Sequence, residues 1–130
     1  MLSSLLENTG RIVILIKAKQ FFSVASDLGY SFISGVPCSF LTPIINYAIS
    51  HSDVHYISAA NEGDAVAIAA GHYLGEKRGI AMMQNSGLGN AVNPITSLLY
   101  TFQIPLLLIV TLRGDPELDD VNDCLKGIQL

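Results

Sequence analysis

The run Val54-His55-Tyr56-Ile57-Ser58-Ala59-Ala60-Asn61-Glu62-Gly63-Asp64-Ala65-Val66-Ala67-Ile68-Ala69-Ala70-Gly71 decides the fold. Its first part, residues 54–59, reads as a short strand. Its second part is small and apolar on nearly every face, which predicts a buried helix over about residues 62–76. A strand passing almost directly into a buried helix is half of a parallel βαβ unit. Glu62 stands at the mouth of that helix, on a stretch almost free of charge. Capping is the commoner use of such an acid, because carboxylates are favoured in a first helical turn. A second use is chemical: a partly desolvated glutamate can share a proton with a ligand nitrogen. Asp64 is placed to cap equally well, so both readings of Glu62 stay open.

Outward from this unit the same alternation recurs. Residues 1–10 read as a short helix or a loose arm, and 11–16 as a strand or the lead into the next helix. Residues 18–28 carry Phe21, Phe22, Val24, Ala25 and Leu28 at helical spacing, and Gly29 stops them. Residues 31–34 are a short strand and 35–39 a turn, with Ser39 placed to cap a helix over 40–50. Residues 79–83 form a third strand and 84–90 a polar loop. Residues 91–102 read as a helix with Pro94 in its first turn, and 105–112 as an apolar strand covered on both faces. The pattern predicts an α/β fold: a doubly wound, mostly parallel sheet with helices on both faces. The expected organisation is an N-terminal arm over 1–16, one domain over 17–114 and an acidic tail over 115–130. Ligands of such sheets bind beyond the carboxyl ends of the strands, here near residues 35–37, 60–62, 84–87 and 113–115.

Composition narrows the function. Half of the 130 residues are hydrophobic, 14% are charged and the net charge is -4. An apolar surface of this kind implies a partner, and a homo-oligomer is expected. No basic cluster invites nucleic acid or an anionic membrane surface. The uncharged stretch over 79–112 is long enough to span a bilayer. Its Gln84, Asn85, Ser86, Asn90 and Asn93, together with two prolines, break it into shorter elements instead. The N-terminus has no basic region ahead of its apolar run, and Cys38 and Cys124 lack metal-type spacing, so a reducing cytoplasm is expected. His51 and His55 flank Asp53 without forming a metal-binding helix face, and no metal site is expected on this chain. His72 on the apolar helix reads as a packed, hydrogen-bonded histidine, and Cys38 as a packing residue rather than a nucleophile. Gly87 and Gly89 lack the third glycine of a dinucleotide loop, Val92 standing in its place. They read as glycines of a tight turn, with Asn90 capping the next helix. Arg113-Gly114-Asp115 reads as a turn.

Three blocks, Gly35-Val36-Pro37-Cys38-Ser39-Phe40-Leu41, Ala60-Asn61-Glu62-Gly63-Asp64-Ala65 and Met83-Gln84-Asn85-Ser86-Gly87-Leu88-Gly89-Asn90, occur in this order. Together they resemble the pyrimidine-binding domain of thiamine-diphosphate-dependent decarboxylases. Within that family the resemblance is nearest to phosphonopyruvate decarboxylases, with sulfopyruvate decarboxylases as relatives. It implies the thiamine-diphosphate-binding fold and conversion of phosphonopyruvate to phosphonoacetaldehyde and CO2. It also implies that Glu62 is catalytic, through a hydrogen bond to N1′ of the aminopyrimidine that favours its imino tautomer. Gln84, Asn85, Ser86 and Gly87 would frame the cofactor together with Glu62. Val36, Pro37, Cys38 and Ser39 would line the substrate mouth, where a small 2-oxo acid enters.

The resemblance also marks what this chain lacks. Members of the family need a pyrophosphate-binding domain, whose GDG segment and downstream Asn hold Mg2+. No GDG is present here. Thiamine diphosphate is therefore expected to be shared with a pyrophosphate-binding domain or subunit that also holds the Mg2+. In the tail, Asp119-Asp120-Val121-Asn122-Asp123 replaces a family segment that closes in Pro-Gln-His. The alternatives are a sulfopyruvate decarboxylase subunit and a truncated, non-catalytic dimerisation module of the same fold. A nucleotide-binding α/β domain rests on Gly87 and Gly89 alone.

Overall fold

The computed structural model describes residues 4–6, 12–14 and 16–114. Two short strands, Ser4–Leu6 (β1) and Ile12–Ile14 (β2), pair antiparallel. The expected helix or loose arm over residues 1–10 therefore gives way to a strand at its centre. Ala18–Asp27 (α1) follows, and Gly29 ends it in a left-handed conformation at φ 83° that only glycine adopts freely. Tyr30–Gly35 (β3), Thr42–Ser50 (α2), His55–Ser58 (β4), Glu62–Leu74 (α3), Arg78–Gln84 (β5), Leu88–Pro94 (α4) and Leu107–Thr111 (β6) complete the alternation. The last four strands form one parallel sheet in the order β4-β3-β5-β6.

β5 is the spine of this sheet. Ile80, Ala81, Met82 and Met83 are all fully buried, as a central parallel strand requires. Side chains alternate across a strand. Ile80 and Met82 pack with Phe22 of α1, Ile33 of β3 and Ala48 of α2. Ala81 and Met83 pack with Val66, Ala69 and Ala70 of α3, Ala91 of α4 and Leu99. Two cores thus lie on opposite faces of one sheet, with α1 and α2 on one side and α3 and α4 on the other.

Several sequence expectations need correction. α3 is not buried all round: Ala65, Val66, Ala69 and Ala70 face the sheet, but Asp64, Ala67, Gly71 and Leu74 form an exposed stripe. β6 is an edge strand, with Leu107 and Val110 more than a third exposed, because no strand lies beyond it among the described residues. The helix expected over 91–102 begins at Leu88 and changes character after Pro94 into a π-helix, Ile95–Tyr100. Pro94 therefore sits at the end of α4, not in its first turn. Proline has no N–H for the carbonyl four residues back, and a wider turn takes over where that bond is missing. Ser39 does not cap α2; residues Ser39–Leu41 form a short 3-10 turn ahead of it.

His72 stacks on Phe32, with ring centroids 4.2 Å apart. It is packed, as the sequence suggests, but its buried Nε2 has no hydrogen-bond partner among the described residues. Desolvation lowers its pKa, assisted by the nearby Lys77 and His55. The unfolded chain therefore binds this proton more readily than the folded one. The stabilising effect of neutral His72 is complete above its ordinary pKa of about 6.5 and is lost as pH falls through the lower, folded-state value. Urea midpoints measured from about pH 7.5 down to about pH 5 should fall, and His72→Phe should flatten that profile. Core burial makes a separate prediction. Ile80→Ala should cost about 2–5 kcal/mol, whereas Ile49→Ala on the exposed face of α2 should change stability by about 0.5 kcal/mol or less. Equilibrium urea unfolding of both variants checks it.

Candidate functional site

The chain leaves β3 toward β4 on one side and returns to β5 on the other. This reversal opens a crevice beyond the carboxyl ends of β3 and β5. Parallel strands bring the loops after β3, β4, β5 and β6 to the same edge, as the sequence pattern predicts.

Glu62 is the first residue of α3. It does not cap the helix. Asn61 Oδ1 accepts the Asp64 backbone N–H at 3.0 Å, and Asn61 Nδ2 donates to Asp64 Oδ2 at 2.7 Å. Those two residues complete the cap by themselves. Glu62 Oε2 instead accepts a hydrogen bond from Asn90 Nδ2 of α4 at 2.7 Å. Its carboxylate lies against Gly87, where an added Cβ would overlap it. Gly87 has φ -82° and ψ -7°, an ordinary right-handed conformation. The glycine is therefore needed for space beside Glu62, not for turning, and Asn90 is a carboxylate partner rather than a cap. Gly89, by contrast, faces open space: a methyl group added there would meet nothing within 4 Å.

A second cluster spans the ends of β3, β5 and β6. Cys38 Sγ lies 3.5 Å from Gln84 Oε1 and 3.8 Å from Thr111 Oγ1. Gln84 Nε2 donates to Ser86 Oγ at 2.6 Å. Asn85 holds the Arg113 peptide at both ends: Nδ2 donates to the Arg113 carbonyl at 2.9 Å, and Oδ1 accepts the Arg113 N–H at 3.2 Å. Arg113 Nη2 donates to Ser39 Oγ at 2.7 Å, and the guanidinium carbon lies 4.8 Å from the Phe40 ring centre.

The structure thus joins Cys38, Ser39, Gln84, Asn85 and Ser86 around the strand ends and sets Gly87 against Glu62. Val36 extends the β3–β5 ladder through its N–H to the Met82 carbonyl at 3.3 Å. Pro37 lines a cavity of about 310 Å³ beside Cys38 and Ser39. Asn90, Thr111 and Phe40 are contacts that sequence reasoning missed. Asn90 lies one helical turn beyond Gly87, yet only the packing of α3 on α4 shows that both serve Glu62. Among the described residues, no group of three or more His, Cys, Asp or Glu side chains could hold a metal ion. Nor, among them, is any helix long and apolar enough to cross a membrane.

Known proteins are similar to this chain over most of its length. The family described as thiamine pyrophosphate enzyme, N-terminal TPP binding domain, matches residues 17–129. A phosphonopyruvate decarboxylase of Streptomyces hygroscopicus is 46% identical over 114 residues, covering 87% of this chain and 28% of that protein. A sulfopyruvate decarboxylase subunit alpha of Methanococcus maripaludis is 39% identical over 98 residues, covering 75% of this chain and 59% of that subunit. The corresponding subunit of Methanocaldococcus jannaschii is 42% identical over 94 residues, covering 72% of this chain and 56% of that subunit. The chain therefore spans under a third of the first relative and somewhat more than half of the other two.

The space beside Gly87 is directly testable. Gly87→Ala should force the Glu62 carboxylate aside and cost about 1–3 kcal/mol, as overpacking does. Gly89→Ala should be neutral or should stabilise α4 by about 0.5–1 kcal/mol, because glycine weakens a helix interior. Thermal and urea unfolding of the two variants side by side would reveal the difference.

Proposed function

The chain belongs to the thiamine pyrophosphate enzyme family as an N-terminal TPP binding domain, and from that premise we propose that it is the pyrimidine-binding part of a 2-oxo acid decarboxylase acting on phosphonopyruvate. The observation that carries this reading is the Glu62 carboxylate, held by Asn90 and the gap at Gly87 while Asn61 and Asp64 look after the helix end. An acid that the helix does not need is available for a ligand. Residues 17–114 form the binding unit in this proposal, and the enzyme works in the cytoplasm.

The residues present suit an aminopyrimidine. Asn90 occupies Oε2, and among the described residues Oε1 has no hydrogen-bond donor. Oε1 is thus the atom that would hold or release a proton at the ring nitrogen N1′. Gln84, Asn85 and Ser86 would border the ring, and Val36, Pro37, Cys38 and Ser39 would line the way in for substrate. When bound, thiamine diphosphate supplies an electron sink for the carbon that loses CO2. A pyrophosphate-binding domain or subunit would complete the site and hold Mg2+, for which no ligand set stands among the described residues.

Two exposed surfaces, both largely of small or apolar residues, support assembly with that partner and with further copies of the chain. One is the exposed stripe of α3. The other is a groove of about 450 Å³ along α1 and β6, where Ile16, Val24 and Leu28 are each more than half exposed. Sulfopyruvate is the alternative substrate, favoured by the two alpha-subunit relatives.

In the assembled enzyme Glu62→Gln should leave stability within about 1 kcal/mol of wild type, since a helix-end acid is worth about 0.3–1 kcal/mol. Decarboxylation should fall by about 100-fold or more, the usual weight of a positioned acid–base group. Glutamine still hydrogen-bonds but cannot exchange the proton. Unchanged turnover would refute the role of Glu62. Absence of turnover on either 2-oxo acid by the wild-type assembly would favour a non-catalytic dimerisation module.

A further inference from the structure

Arg113 emerges from β6 with its peptide pinned by Asn85, so its side chain starts from a fixed point. The guanidinium rests on Phe40 and donates to Ser39 Oγ. Its Nε–H is buried and meets no acceptor among the described residues, and no carboxylate among them pairs with it. Arginine is charged at any working pH. Among the described residues this half-buried guanidinium has no counter-ion, so its desolvation cost is offset only in part, by the Ser39 hydroxyl and the Phe40 ring. An incoming anion would offset it.

The neighbouring groups suit such an anion. Ser39 Oγ accepts from Arg113 and keeps its own proton to donate. Ser39 also lines the cavity of about 310 Å³ at the start of α2, and the first turn of α2 carries no acidic residue. A planar guanidinium fork and one hydroxyl match the several oxygens of a tetrahedral oxyanion better than a methyl or alkyl tail.

Resting on the decarboxylase reading above, we infer that Arg113, with Ser39, holds the terminal phosphonate or sulfonate of the substrate. Arg113 is then the residue that selects 2-oxo acids with an oxyanion tail over those with an apolar one. Asn85 is a positioning residue, acting through the Arg113 backbone.

Binding to the full chain tests the site independently of turnover. Methylphosphonate and methanesulfonate are titrated separately and followed by the Arg113 side-chain and Ser39 amide signals in NMR. Saturable binding should weaken about tenfold or more in Arg113→Gln, the usual loss for a charge-assisted hydrogen bond. It should weaken less in Ser39→Ala, and stay unchanged in Lys77→Gln, which removes the same charge from the turn after α3. The tighter of the two probes identifies the oxyanion. In the assembled enzyme Arg113→Gln should raise KM for the tailed substrate by a similar factor with a smaller change in kcat. If Arg113→Gln misfolds, Ser39→Ala carries the test, since Ser39 is exposed and caps nothing. Binding that survives both variants, or no saturable binding to wild type, overturns the inference. Loss of binding in Arg113→Gln without any decarboxylation by wild type would uphold the anion site and refute the enzymatic reading instead.

Discussion

The backbone at Gly87 and the carboxylate of Glu62 occupy adjoining volumes that a single methyl group would bridge. Gly87 closes the short turn Asn85–Gly87 that follows β5. β5 is fully buried over Ile80–Met83, so this turn is delivered from the most constrained strand of the sheet. Packed interiors resist displacement. The rigidity of β5 is therefore transmitted to the turn and from there to the side chain on α3. Asn90, one helical turn further along, completes the hold on Glu62 from the same segment. The acid is positioned by β5 and α4 at least as much as by its own helix.

The same turn organises the other half of the edge. Asn85 grips the backbone of Arg113, and Ser86 is tied through Gln84 to Cys38. One three-residue turn thus reaches an acid on one side and a cation on the other. Neither charge is spent on the other: Glu62 is held by an amide, and Arg113 by a hydroxyl and an aromatic face. Among the described residues neither charge has an opposite charge as its partner, which costs stability and keeps hydrogen-bonding capacity in reserve for a ligand.

The fold was largely legible in the sequence. Alternating strand and helix patterns anticipate the parallel sheet, since periods of 2.0 and 3.6 follow from backbone geometry and survive any tertiary context. The run over 79–83 reads only as a strand, and the structure makes it the central one, buried on both faces at Ile80–Met83. The run over 105–112 reads as a strand covered on both faces and is an edge instead, because apolarity does not distinguish a central strand from an edge. Nor could periodicity anticipate the π-helix after Pro94, or the exposed stripe of α3, where Ala67 and Leu74 are as apolar as the residues facing the sheet.

At the site, the sequence by itself determined which residues stand at the strand ends, for topology follows from the order of elements. It identified Glu62 as an acid with two possible uses. Only the tertiary structure decided between capping and availability, by placing Asn61 and Asp64 in the cap and Asn90 against Glu62. It likewise converted Gly87 from a turn residue into a space beside a carboxylate, and Arg113 from a residue of a turn into a cation fixed by Asn85, Ser39 and Phe40. The physical reason is the same in each case. Local sequence governs backbone conformation within a few residues. These contacts join distant ones, Glu62 to Asn90 across 28 positions and Ser39 to Arg113 across 74, and they exist only once helix, strand and turn are packed.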